Sequence, residues 1–129
     1  MIVETSAVIA VLRAEPLAES LLRTIARAET RRLSAASYVE IGAVIDRAGD
    51  PVASRRVDQF LDEASIEIVA VTPDQARIAR QAYRDFCKGS GHRAQLDLGD
   101  CFAYALAVES GEPLLFVGED FSHTDVERA

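Results

Sequence analysis

Short apolar runs alternate with helix-length amphipathic stretches along this chain, and that alternation limits the folds open to it more than any other feature. The runs are IV at 2–3, IEIVAV at 66–71 and LLFV at 114–117, with RRLSA at 31–35 a weaker member. Each is too short for a helix and reads as a strand. Turn residues punctuate the spaces between them at Pro16, Gly49-Asp50-Pro51, Pro73, Gly89-Ser90-Gly91 and Gly111-Glu112-Pro113. The intervening segments carry helical spacing. Leu17, Leu21, Leu22 and Ile25 share one face, as do Tyr38, Ile41 and Ile45, and then Val57, Phe60, Leu61 and Ala64. A long helix is predicted from Pro73 to Lys88, opened by a proline that suits the first helical position. CFAYALAV at 101–108 is apolar all round, which predicts a buried helix. Strands alternating with helices need crossover connections. The expected fold class is therefore α/β, a central and mostly parallel sheet with helices on both faces. With 129 residues and neither repeat nor linker, one domain spanning 1–129 is expected.

The first residues carry neither a cationic stretch nor a long apolar run, so no secretory signal is expected. No segment approaches the ~20 apolar residues that span a bilayer. A cytoplasmic location follows as the default. Cys87 and Cys101 lack metal-ligand spacing and read as reduced thiols in helical segments. His92 and His123 likewise lack the spacing of a zinc site. The net charge of -7 argues against gripping nucleic acid by counterion release over the whole surface. Nucleic acid remains a possible target only through bridging cations or local basic patches. The main such patch is Arg84, Lys88, His92 and Arg93, at the end of the long helix and its glycine-rich exit.

In parallel sheets of this kind the site lies beyond the carboxyl ends of the strands. Glu4 ends the first strand, and Asp120 follows LLFV in GEDF. Glu40 sits early in the helix of SAASYVEIGAVI, and Asp100 in the first turn of the buried helix, in LDLGDCFAYALA. Strand ends and the starts of the following helices share one edge, so four carboxylates are expected to meet there. Each has a structural reading as well. Ser37 and Glu40 fit a capping box, and Asp97 suits the cap of the buried helix. Asp120 fits a turn. Asp100, followed by eight apolar residues, has no Lys or Arg within a helical turn to pair with. Clustered carboxylates cannot all stay ionised without compensation, and hard divalent cations supply it. The chemistry served by such a site is phosphodiester hydrolysis. Thr5 and Ser6 are placed to orient a water or a carboxylate.

Taken in order, the strand–acid–Thr-Ser-Ala start, YVEI, LGDCFAYALA and LLFVGEDFSHTDV resemble a PIN-domain ribonuclease, specifically a VapC-type toxin of a toxin–antitoxin pair. The resemblance spans essentially the whole chain. It implies a Rossmann-like fold, endoribonuclease activity dependent on Mg²⁺ or Mn²⁺, a VapB-type antitoxin as partner, and a homodimer. Carried over by position, the family's four acids fall on Glu4, Glu40, Asp100 and Asp120, with the hydroxyl after the first acid on Thr5 and Ser6 behind it. Two departures stand out. The first acid is normally Asp; Glu4 carries its carboxylate ~1.3 Å further out. Some relatives also have an acid two positions before Asp120, where this chain has Gly118, with Glu119 adjacent and Asp125 nearby. Misplacing a catalytic group by ~1 Å can cost on the order of 100-fold in rate. A second reading therefore stays open at this point: a catalytically weakened or inactive PIN-like protein that binds antitoxin or RNA. A receiver-like signalling module fits poorly, because the central run IEIVAV ends in Thr72-Pro73 instead of Asp, and Lys88, the sole lysine, sits on a helix.

Overall fold

The computed structural model describes residues 1–47 and 49–129. Strands and helices follow in the order β1 (Ile2–Val3), α1 (Thr5–Leu12), α2 (Ala18–Arg27), β2 (Arg32–Ser34), α3 (Ala35–Asp46), α4 (Pro51–Glu63), β3 (Glu67–Val69), α5 (Pro73–Phe86), α6 (Leu98–Ser110) and β4 (Leu114–Leu115). The sheet order is β3-β2-β1-β4, and every pairing is parallel. All four expected strands exist, each trimmed to its paired core. The weak member is a true strand, with Leu33 fully buried opposite Ile68.

Alternation along the strands builds the two layers. Ile2 and Leu114 face a core formed with α5 and α6, through Ala79, Ala82, Cys101 and Tyr104. Val3 and Leu115, one residue on, face the opposite core, formed with α1 to α4 through Val8, Ile25, Ile41 and Leu61. Helices therefore cover both faces, as the crossover argument requires.

Several local expectations are corrected. Leu17 and Leu22 do not share the buried face of α2. They are 51% and 42% exposed, and only Leu21 and Ile25 of that row are buried. The long helix stops at Phe86, two residues short of Lys88, with Cys87 as its cap. The capping box at Ser37 and Glu40 does not form. Because β2 runs into α3 without a loop, the last strand residue, Ser34, caps the helix, its Oγ accepting from Ala36 N at 3.3 Å. Ser37 lies inside the helix and is fully buried. Both cysteines are free thiols, Cys101 buried and Cys87 half-buried. Among the described residues, no helix is long and apolar enough to cross a membrane.

Strand order sets the position of the site. From β1 the chain moves to β2 and β3 on one side, whereas β4 pairs on the other side of β1. The crevice at such a reversal, beyond the carboxyl ends of β1 and β4, is where open α/β sheets bind ligands.

Candidate active site

Glu4 leaves β1 at that crevice. Its backbone N–H donates to Leu115 O at 2.9 Å, so the residue belongs to the sheet as well as to the helix that follows. It is the N-cap of α1, where its Oε2 accepts from Ser6 N at 2.7 Å and from the Ser6 hydroxyl. That hydroxyl also accepts from Val117 N at 2.9 Å, clamping the exit of β4 to the start of α1. Glu4 is only 3% exposed. Burial pushes its carboxyl from 4.5 up to about 7; the Ser6 and Thr5 hydrogen bonds oppose that rise and the charge of Glu40 adds to it.

Glu40 lies on α3, one helical turn and a half from the cap. Its Oε2 accepts from Thr5 Oγ1 at 2.7 Å, which ties α3 to α1. Burial raises its pKa, opposed by the Thr5 bond and reinforced by Asp97. Asp100 occupies the first turn of α6. Asp97 caps this helix, accepting from Asp100 N at 2.9 Å, while Asp100 accepts from Asp97 N at 2.8 Å. The sequence points to Asp97 as the cap; the structure adds Asp100 to it as the second member of a reciprocal capping box. Burial pushes the Asp100 carboxyl from 3.8 to about 7; the Asp97 backbone bond opposes this, and the charges of Asp97, Glu4 and Asp120 raise it further. Asp120 sits exposed in the turn after β4, held by Phe121, which is buried against Phe116 with ring centroids 5.0 Å apart.

The four acids thus lie along one edge in the order Asp120, Asp100, Glu4, Glu40, with Asp100 raised by its neighbours Asp120 and Glu4, and Glu4 by Glu40. None has a Lys or Arg partner among the described residues. They form an open arc, not a closed cage: among the described residues no three carboxylate, imidazole or thiol groups stand ready to hold an ion. Glu4, Glu40 and Asp100 are instead each hydrogen-bonded to a protein donor: Ser6, Thr5 and the Asp97 backbone. The donor set of hard, uncompensated oxygens fits Mg²⁺ or Mn²⁺.

The other nominated residues divide. Thr5 and Ser6 hold Glu40 and Glu4 in place. Asp125 is committed elsewhere, accepting from Tyr104 Oη at 2.7 Å. Gly118 has a φ of +98°, a backbone that disfavours any acidic side chain at this position. Leu96 N donates to Phe86 O at 3.1 Å, which returns the 87–97 segment to the start of α6. Arg84, Lys88, His92 and Arg93 are exposed, the last three on the segment that leads back to the start of α6. Arg84 pairs with Asp85 at 3.0 Å. His92 has a structural role: its ring packs on Phe86 and its Nδ1 accepts from Ala94 N at 3.0 Å.

Buried strand ends, an edge of acids and this strand order define a class, and the PIN domain family model matches residues 1–127. The chain belongs to the PIN domain family. Ribonuclease VapC28 of Mycobacterium tuberculosis is 54% identical to it over 129 residues, which is 100% of this chain and 97% of that protein. Among solved structures, Mycobacterium tuberculosis VapC20, described as a Sarcin-Ricin loop cleaving toxin, superposes with a TM-score of 0.80 at 15% identity, covering 99% of this chain and 97% of that one. A toxin–antitoxin complex from Klebsiella pneumoniae superposes with a TM-score of 0.73 at 15% identity, covering 96% and 92%. At that identity the two structures speak for the fold alone.

Gly99 escaped the sequence reading. A Cβ there would stand 2.3 Å from Glu40 Oε1. The only signal available was a glycine inside a helix start.

Proposed function

We propose that residues 1–129 act as one PIN domain, an endoribonuclease toxin of a toxin–antitoxin pair that works in the cytoplasm. The observation that carries this reading is the edge of four carboxylates, with Glu4 and Asp100 pushed to about 7 chiefly by burial and further by neighbouring acids, and with no Lys or Arg paired to any of the four among the described residues. The relationship to Ribonuclease VapC28 over the whole chain supports the choice of RNA as substrate.

Glu4, Glu40, Asp100 and Asp120 would hold Mg²⁺ or Mn²⁺. When bound, the ion supplies activation of water and charge stabilisation for phosphodiester hydrolysis. The protein's own contribution is to set the ligands. Ser6 fixes Glu4 and couples it to the β4 exit, Thr5 fixes Glu40, and the backbone of Asp97 fixes Asp100. Lys88 and Arg93, exposed around the segment that leads into α6, would meet RNA phosphates, with Arg84 joining them after release from Asp85. An acidic protein can then hold RNA at one edge without a basic surface. A VapB-type antitoxin is the expected inhibitor, and a homodimer the expected assembly.

The test is RNA cleavage by the purified chain in Mg²⁺ or Mn²⁺, with Asp100→Asn beside it. Wild type should cut and Asp100→Asn should not. A variant that still cuts at saturating metal removes Asp100 from the site, and a wild-type chain that never cuts favours a PIN-like binding protein.

A further inference from the structure

We propose that Gly99 is a positioning residue for Glu40, holding open the seat that lets its carboxylate reach the acid edge. The inference rests on the reading of Glu40 as a site acid. Gly99 is the second residue of α6, where the helix itself does not require glycine. Glycine is a poorer helix former than alanine, so helix propensity does not call for it at this position. A Cβ on Gly99 would lie 2.3 Å from Glu40 Oε1, 2.5 Å from Cδ and 2.6 Å from Oε2. All three obstructed atoms belong to one carboxylate, and none belongs to a backbone or a rigid side chain. On its other side that carboxylate is held by Thr5 Oγ1 at 2.7 Å. Glu40 is therefore lodged between a hydroxyl of α1 and a bare Cα of α6, immediately before Asp100.

Any side chain at 99 evicts it. Restoring ordinary contact, which begins near 3.4 Å, moves the carboxylate by about 1 Å. A displacement of that size at a reacting centre costs on the order of 100-fold in rate. The fold has little reason to suffer, because the group that moves is the end of a flexible side chain and alanine is the better helix former.

Wild type, Gly99→Ala, Glu40→Asp and the double variant separate positioning from structure. Thermal melting, Mn²⁺ affinity without RNA, and RNA cleavage are read on all four. Gly99→Ala should keep or raise the melting temperature, weaken Mn²⁺ binding, and cut RNA roughly 10- to 100-fold more slowly. In the Glu40→Asp background, where the shorter side chain has withdrawn from the seat, the same substitution should change Mn²⁺ affinity and cleavage by less than about threefold. An equal penalty in both backgrounds overturns the inference, as does a loss of activity that merely follows a fall in melting temperature. If wild type cuts no RNA, the proposed function fails and the Mn²⁺ comparison alone decides this inference: equal affinity in wild type and Gly99→Ala overturns it.

Discussion

Replacing Glu4 by glutamine should make the metal-free protein more stable at neutral and alkaline pH, although it removes a proposed site residue. The Glu4 carboxyl is 3% exposed and titrates near 7 in the folded chain, against an ordinary value of 4.5. A raised acid binds its proton more tightly when folded than when unfolded. Its contribution is fully present below about 4.5, fades as pH rises through the window to about 7, and is absent above. The gap between those values converts to about 3 kcal/mol. Glutamine keeps an oxygen to accept from Ser6 N and carries no charge to desolvate. In EDTA, the Glu4→Gln variant should lie within about 1 kcal/mol of wild type at pH 5 and exceed it by up to about 3 kcal/mol at pH 8, on the order of 10 °C in melting temperature. Asp100, also raised, adds a wild-type slope of the same sign that the variant retains. Thermal unfolding in EDTA at the two pH values provides the check. A wild-type protein as stable at pH 8 as at pH 5, or a variant that gains nothing at pH 8, would refute the claim that Glu4 carries an uncompensated buried charge.

Glu4→Asp should shift stability by less than about 1 kcal/mol, since aspartate is a good N-cap and only one methylene is lost, while RNA cleavage rises; equal or lower cleavage counts against the displaced-carboxylate argument. Asp97→Ala removes the cap of α6 and should cost about 1 kcal/mol in urea unfolding, with Asp100 losing its backbone anchor and cleavage falling more than stability predicts. A drop in stability with unchanged cleavage would show that Asp100 holds its place without the box.

What could be read from the residues differs between fold and site for physical reasons. The layered α/β architecture follows from short apolar runs whose neighbours, such as Ile2 and Val3, must face opposite ways, and that pattern is local. The four acids could be nominated from sequence because Glu4 ends β1, Asp100 lies in the first turn of α6, Asp120 follows β4 and Glu40 lies in the first half of α3. Their mutual arrangement was not legible. Whether a serine caps a helix depends on where the strand before it stops, which is why Ser34 took the role assigned to Ser37. Whether Asp100 joins a capping box depends on the Asp97 backbone, and its partial burial on the packing of α6. Gly99 carries no periodic or charge signal at all. Its meaning arises only when α3 is laid against α6 and the Glu40 carboxylate arrives over a bare Cα.

The most direct test of the account is Mn²⁺ binding at pH 7.5 to wild type and to the Glu4→Gln/Asp100→Asn double variant, without RNA, with folding confirmed for both. The arc of uncompensated acids predicts binding by wild type and at least a tenfold weaker affinity in the variant. Equal affinity, or no binding by a folded wild-type chain, would contradict the claim that this edge is a metal site.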